Sequence, residues 1–392
     1  MDIQQEALKK IGIFSFFSGA GFLDLGFEKT KNYKTLFVNE VHKPFMDIYK
    51  YSRQSLNIKA PEYGYHNCDI TDFLEEKKAT FLRDSIEKGK KNHDLIGFIG
   101  GPPCPDFSVG GKNKGVKGEN GKLSGTYVEL IIQNSPDFFL FENVKGLYRT
   151  KKHREFFDSM KRKLVANGYR ITERLINAIE YGAPQDRDRI ILIGFKNDIL
   201  LDMGLQNDSE ILSSFCWEHT IKASRETIFA KSWPGKESFT ADESKACPKG
   251  IEKELTVEYW FKKNDVENHP NALHYFQPRA ALAKFEIIEE GDVLKKSYKR
   301  LHRWRYSPTA AYGNNEVHLH PYKARRISAA EALALQSLPK EFVIPEDMTL
   351  SNMFKAIGNG VPYLAAKGLA ETIGNFIETI QKKSIDEEII CK

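Results

Sequence analysis

Through the first half of the chain, short and almost wholly apolar runs alternate with longer mixed stretches of helical character. The apolar runs predict strands at residues 11–17, 34–39, 95–99, 137–141 and 190–195. Helices are predicted between them at 22–29, 43–51, 126–133 and 156–167. Strands that alternate with helices imply an α/β fold with a doubly wound, mostly parallel sheet. Their continuous apolar character fits burial on both faces.

After residue 195 the texture changes. From about 196 to 322 the alternation dissolves into irregular stretches with turn residues and aromatics, such as Trp233-Pro234-Gly235-Lys236 and Asn268-His269-Pro270-Asn271. Helical character returns at 328–338 and at 361–380, and the later stretch predicts a helix that rejoins the first half. The expected organisation is a first domain at 1–195 completed by 350–392, with a second domain and hinge at 196–349. A chain of 392 residues is long enough for both.

Composition sharpens this only a little. The formal charge of +5 is too small to establish a polyanionic partner, so distribution matters more than total. Cations gather late, at Lys295, Lys296, Lys299, Arg300, Arg303, Arg305, Lys323, Arg325 and Arg326, with Tyr298, Trp304, Tyr306 and Tyr312 among them. Such a run is ordinarily a solvated face. Five scattered cysteines, none at metal-ligand or redox spacing, point to reduced thiols in a cytosol. The first residues lack a signal-peptide pattern, and no apolar run approaches membrane-spanning length. A cytoplasmic protein, free in solution and without a structural metal, is the expectation.

Candidate chemistry begins at Gly100-Gly101-Pro102-Pro103-Cys104-Pro105-Asp106-Phe107-Ser108. A thiol at the end of a strand, pinned by prolines and followed by glycines and lysines, suits a nucleophile that meets an anionic polymer. A free cysteine is more commonly a small buried hydrophobe. Upstream, Phe17-Ser18-Gly19-Ala20-Gly21-Phe22-Leu23 reads as a strand end, a glycine turn and a helix start. The next strand ends in Asn39-Glu40, which offers a carboxylate to ribose hydroxyls. Cys68-Asp69-Ile70 offers a carboxylate to an adenine amine and an apolar side chain to its face. Three such ends imply a nucleoside-type cofactor. A nicotinamide and S-adenosylmethionine both fit this pattern, although the turn lacks the full spacing that cradles a pyrophosphate. Glu142 ends the apolar run 137–141, and Arg187 and Arg189 stand two apart at the entry to another strand. Taken singly, Glu142 reads equally well as a helix-capping acid and the arginines as a salt-bridged surface.

Together these segments resemble the ordered motif set of the cytosine-5 DNA methyltransferases. Phe17 to Leu23 is similar to the family's first motif, and Gly101-Pro102-Pro103-Cys104 to its nucleophile motif. Glu142-Asn143-Val144 resembles the acid motif, and Gln185-Asp186-Arg187-Asp188-Arg189 the arginine motif. Arg325-Arg326-Ile327-Ser328 through Glu331 to Pro339, and Ala356-Ile357-Gly358-Asn359-Gly360-Val361-Pro362, resemble the last two. The order is the family's, and the irregular segment falls where that family keeps its target-recognition domain. Two departures stand out: Pro105 replaces the glutamine that usually follows the cysteine, and the predicted helix 126–133 is about a turn short.

The resemblance implies a sheet of the S-adenosylmethionine-dependent methyltransferase type and a sequence-specific DNA (cytosine-5)-methyltransferase of a prokaryotic restriction-modification system. It implies S-adenosyl-L-methionine as cofactor, with S-adenosyl-L-homocysteine as product. Catalysis then falls to Cys104, Glu142, Arg187 and Arg189, with Cys104 attacking carbon 6 of a flipped cytosine. Arg187 is expected near the thiol and a substrate phosphate. The cofactor falls to Phe17, Gly19, Ala20, Gly21, Phe22, Leu23, Glu40, Val41, Asp69, Ile70, Pro103, Tyr127, Asn359 and Val361. Ser108, Lys112, Lys114, Lys117, Arg300, Arg303, Arg305 and Thr309 are expected to meet double-stranded DNA. The implied enzyme is a monomer paired functionally, without physical contact, with a cognate restriction endonuclease. A transfer-RNA methyltransferase on the same scaffold is the alternative activity, although its cysteine-phenylalanine-threonine signature is not found. A catalytically silent DNA-binding protein is the alternative from another class, motivated by Pro105.

Overall fold

A computed structural model describes residues 10–103, 119–205, 212–278, 282–295, 297–310, 312 and 316–390, apart from the side chains of 119–121 and 382–390. The order is β1 (Ile11–Phe16), α1 (Phe22–Glu28), β2 (Tyr33–Asn39), α2 (Lys43–Ser55), β3 (Tyr65–His66), α3 (Glu76–Asn92), β4 (Leu95–Gly100), α4 (Glu119–Asn134), β5 (Phe138–Val144), α5 (Lys151–Ala166), β6 (Tyr169–Asn177) and β7 (Asp188–Lys196). Short helices follow: α6 (Asn197–Asp202), α7 (Arg225–Phe229), α8 (Val257–Lys263), α9 (Leu282–Ile287) and α10 (Ala329–Leu335). The chain closes with α11 (Leu350–Asn359) and α12 (Tyr363–Ile390).

The seven strands form one sheet in the order β3-β2-β1-β4-β5-β7-β6. All pairs from β3 to β5 are parallel, whereas β7 runs antiparallel to both β5 and β6. The chain winds outward from β1 in one direction and from β4 in the other. In such a sheet, the crevice at the carboxyl ends of β1 and β4 is where ligands bind.

Each central strand divides its side chains between two cores. Ile11, Ile13, Leu95, Ile99, Phe138, Leu140, Ile191 and Ile193 join a cluster completed by Ala365, Ala366, Leu369 and Ile373 of α12. Phe14, Phe16, Ile96, Phe98, Phe139, Phe141, Ile190 and Leu192 face Leu82 and Ile86 of α3, Leu130 and Ile131 of α4, and Phe157 and Leu164 of α5. This two-sided burial is why the strands read as unbroken apolar runs. The predicted return of the C-terminal helix has a close-packed cause. A Cβ added at Gly26 of α1 would lie 2.5 Å from the Ala366 backbone of α12.

One predicted element differs and two observed ones were not predicted. The helix before β5 is Glu119–Asn134, 16 residues, and not the short one read from its apolar core. Strand β6 was not predicted because it is an edge strand whose middle, Thr172-Glu173-Arg174, is only partly buried. Helix α3 was hidden by its lysines; only Leu82, Ser85, Ile86 and Gly89 are buried.

Residues 212–344 carry short helices and isolated bridges between Gln185 and Ser307, Glu237 and Glu290, and Leu319 with both Arg300 and Arg326. Their core of Trp260, Phe261, Leu301, Val317, Ile327 and Phe342 is continuous with Ala20, Phe22 and Leu25 near α1 and with Phe45 and Ile48 of α2. Ser328 caps α10 and Glu331 returns the bond to the Ser328 N–H, a reciprocal capping box.

Candidate active site

A cavity of about 400 Å³ opens at the carboxyl ends of β1, β2, β4 and β5. Its floor is the glycine turn. Phe17, Gly19 and Gly21 all take positive φ, at 51°, 57° and 79°, so the backbone reverses within five residues. Beneath the turn lies a buried polar group. Arg53 of α2 donates to the Gly21 carbonyl at 2.6 Å, pairs with Glu28 at 2.9 Å and lies over the Tyr49 ring. Tyr49 in turn donates to Asp24 at 3.0 Å. A Cβ at Gly21 would come within 2.5 Å of Tyr49 and 2.7 Å of Arg53, so the turn and its support are fitted to glycine.

Burial pushes the Asp24 carboxyl up to about 6, with Arg53 opposing and Glu28 adding to the rise. An acid raised in this way favours the fold most below its unfolded value of 3.8, and that contribution is lost as pH rises through about 6. Asp24→Asn removes the titration. Its stability relative to the unaltered enzyme is therefore expected to improve by about 3 kcal/mol between pH 4 and 7. Urea unfolding of both proteins across that range checks this, and parallel pH profiles would refute it.

The wall of the cavity comes from β2 and the segment after it. Glu40 is buried and both its oxygens accept backbone N–H groups, from Gly19 at 2.9 Å and from His42 at 2.7 Å. Burial raises its carboxyl, while the His42, Gly19 and Val41 N–H groups pull the other way. Val41, 59% exposed, presents an apolar side chain at the rim. Asp69 caps the turn at Ile70–Leu74, accepting from the Thr71 N–H at 2.9 Å and its hydroxyl at 2.7 Å.

At the far end stand Glu142 and Arg189. The antiparallel register sets Glu142 opposite Ile191 and Val144 opposite Arg189, so Glu142 and Arg189 are diagonal neighbours on one face. Their side chains meet at 2.6 Å, Nε to Oε1. A Cβ at Gly101 would lie 2.6 Å from Glu142 Oε2, so the exit of β4 runs directly past this carboxylate. Pro102 and Pro103 continue along the cavity, and Pro103 is the last described residue before Cys104. Cys104, Ser108, Lys112, Lys114 and Lys117, with Pro105, lie outside the described residues.

Of the residues singled out in the sequence, Phe17, Gly19, Ala20, Phe22, Leu23, Glu40, Val41, Asp69, Ile70, Pro103, Asn359, Val361, Glu142 and Arg189 line this one cavity. Others stand elsewhere. Gly21, in the same turn, packs against Tyr49 and Arg53 and does not line the cavity. Tyr127 is fully buried, its hydroxyl donating to the Leu140 carbonyl at 3.2 Å, and supports the wall from behind. Arg187 is 1% exposed and donates to the carbonyls of Ala310 at 2.9 Å and Gly358 at 2.8 Å. Burial, reinforced by Arg189, holds its guanidinium well below the ordinary value. It ties the entry to β7 to two distant segments, and Cys104, beside which it was expected, lies outside the described residues.

Several arginines of the late basic run turn inward. Arg300 is fully buried and donates to the carbonyls of Phe285, Ile288, His320 and Lys323. Arg303 is buried on Glu290 at 2.8 Å. Arg305 is half-buried against Tyr306 and the Pro234 carbonyl, and Thr309 donates to the Asp186 carbonyl at 2.5 Å. Arg325 pairs with Glu331 at 2.7 Å. Irregular chain leaves carbonyls without ladder partners, and arginine's five donors satisfy them. These arginines are committed to partners within the segment, whereas Lys295 of the same run is exposed.

Two buried polar atoms in the cavity belong to residues that stand within the quoted sequence motifs but were not among the expected site residues. Ser18 Oγ and Asn143 Nδ2 have no hydrogen-bond partner among the described residues. Buried polar groups are almost always paired, so these atoms are open to hydrogen bonding by whatever occupies the cavity. Phe45, Cys68 and Gly360 also line the space.

A seven-stranded sheet with this order and a switch-point cavity defines an α/β methyltransferase fold. A family model of the C-5 cytosine-specific DNA methylases matches residues 11–375. The chain belongs to that family and is a DNA (cytosine-5)-methyltransferase. It is 60% identical to the Type II methyltransferase M.NmeDI of Neisseria meningitidis serogroup C, over 96% of this chain and 86% of the relative. It is 26% identical to the Type II methyltransferase M.FnuDI of Fusobacterium nucleatum, over 96% and 97%. Among solved structures, a prophage-encoded DNA modification methyltransferase of E. coli aligns over 94% of this chain and all of its own, with TM-score 0.62 and 21% identity. The Entamoeba histolytica methyltransferase EhMeth aligns over 94% and 98%, with TM-score 0.57 and 15% identity.

Proposed function

We propose that this enzyme uses S-adenosyl-L-methionine to methylate carbon 5 of a cytosine flipped out of duplex DNA, through a covalent Cys104 adduct. The observation that carries the reading is a single cavity. It joins a nucleoside-type floor and wall to the Glu142–Arg189 pair, and the chain entering Cys104 forms its edge. The orphaned Ser18 Oγ and Asn143 Nδ2, the acceptors Glu40 and Asp69 and the exposed Val41 suit a ligand with a ribose, an adenine and an amino-acid end. Glu40 would hold the ribose hydroxyls, Asp69 the adenine amine, with Val41 and Ile70 against the ring. When bound, this cofactor supplies the methyl group and leaves as S-adenosyl-L-homocysteine.

The chain's own work is on cytosine. Carbon 5 is a poor nucleophile until a nucleophile adds at carbon 6. The Cys104 thiolate forms that C–S bond, and the ring electrons move toward carbon 5 and nitrogen 3. Glu142 holds a proton at nitrogen 3, so charge does not accumulate on the ring, and Arg189 donates to the base carbonyl. After transfer, water takes the carbon 5 proton and the C–S electron pair returns to sulfur. Arg187 is a positioning residue that ties Gly358, in the cavity wall, to the β7 entry. In this reading residues 196–349 read the target and residues 1–195 with 350–392 perform chemistry. The enzyme works as a cytoplasmic monomer that protects DNA from a cognate endonuclease.

The test is transfer of labelled methyl groups to duplex DNA and to transfer RNA, followed by sequencing of methylated bases in DNA from an expressing host. Carbon-5 methylcytosine at one recurring DNA sequence is expected. Label on transfer RNA alone would overturn the reading.

A further inference from the structure

With Arg300 and Arg303 turned inward, the phosphates of the duplex call for cations outside the late basic run as well. We propose that the start of α5 and the turn before it form a wall for the DNA backbone. The inference rests on the duplex-DNA reading above. The segment after Glu142-Asn143-Val144 carries Lys145, Arg149, Lys151, Lys152 and Arg154, with Glu155 as its only acid. Arg149, Lys152 and Arg154 are exposed, and the Lys145 and Lys151 side chains are 54% and 93% exposed.

The placement is the first argument. Strand β5 ends at the carboxyl edge of the sheet, and α5 starts there before running back along the face. Val144 and Arg189 line the reaction cavity. Their chain neighbours Lys145 and Asp188 are paired at 2.9 Å, so the cationic segment begins at the cavity mouth.

Local stability is the second argument. Thr150 caps α5, and Lys151 and Lys152 follow in the first turn, which holds no acid. Cations there oppose the helix dipole, which favours acids at this end. The buried side chains His153, Phe157, Met160 and Leu164 account for the helix itself. Beyond the Lys145–Asp188 pair, internal pairing takes up little of the added charge. Lys151 only approaches Glu155, at 3.9 Å, while Arg154 donates to the Tyr148 carbonyl. An arrangement unfavourable to its own helix, exposed and at the mouth of the reaction cavity, is what a polyanionic partner would require.

The test compares two matched doubles, Arg149→Gln with Lys152→Gln at this end and Arg162→Gln with Lys163→Gln at the far end of the same helix. Binding to a mixed-sequence duplex is measured against salt, alongside Tm. The first double is expected to weaken binding about tenfold and to lower the slope of log K against log salt by nearly 2, about 0.9 per lost phosphate contact. Its Tm should hold or rise, because two cations leave a helix N-terminus. The far double should change affinity less than about twofold. Equal effects of the two doubles, or loss of affinity only together with a lower Tm, would overturn this surface while leaving the DNA reading intact. Absence of duplex binding by the unaltered enzyme would overturn both.

Discussion

Cys104→Ser is expected to lower methyl transfer by at least about 10⁴-fold, the scale on which losing a covalent nucleophile acts. It should also abolish the covalent adduct that the unaltered enzyme forms with a 5-fluorocytosine duplex. A hydroxyl is a far weaker acid than a thiol, so almost none of it is ionised to add at carbon 6. The rival thiol is Cys68, which lines the same cavity beside Asn39, 3.8 Å from its amide nitrogen. Burial pushes the Cys68 thiol up, so less of it is thiolate. It also sits with Glu40 and Asp69, at the end assigned to the cofactor. Cys68→Ala is therefore expected to keep the adduct. Denaturing gel shift of the trapped duplex reads both variants. An adduct in Cys104→Ser that disappears in Cys68→Ala would move the nucleophile to the other wall.

How legible this enzyme was in its sequence depended on whether a residue's surroundings were local. The strands of the sheet centre were legible because burial on both faces leaves no polar positions. Edge strand β6 was not, because its partly buried middle admits Thr172, Glu173 and Arg174. The cavity-lining residues at strand ends were legible for a related reason. A glycine turn or a carboxylate closing an apolar run is visible within a few residues, as at Gly19, Glu40 and Glu142. Contacts that span more than a hundred residues were invisible. Arg187 looked like a partner of Arg189, yet its acceptors are Ala310 and Gly358. Arg300 and Arg303 looked like a basic surface because neither Glu290 nor the carbonyls of an irregular chain carry a sequence signal. Exposed charge and buried charge have the same letters, and only the fold separates them. The start of α5 was likewise illegible: the helix read from sequence began at 156, five residues after the observed start at Lys151.

The Glu142–Arg189 pair makes the sharpest demand on the proposed chemistry. Glu142→Gln preserves volume and removes the charge, and turnover is expected to fall about 10²- to 10³-fold while cofactor affinity changes less than about twofold. The split follows from position. Glu142 stands at the end of β5, held by Arg189 and passed by Gly101, whereas Glu40 and Asp69 sit after β2 and β3. Arg189→Lys should cost a similar factor, since an ammonium cannot hold the carboxylate and a base carbonyl in one plane. If the two side chains act as one device, their losses overlap, and the double variant should be no worse than about tenfold below the poorer single. Fully multiplied losses would mean independent roles. Weakened cofactor binding with near-normal turnover would place Glu142 at the wrong end of the cavity. Turnover under saturating cofactor, together with cofactor titration of all three variants, separates these outcomes. The salt bridge that orders the pair in the resting enzyme would then also fix the direction from which cytosine is held.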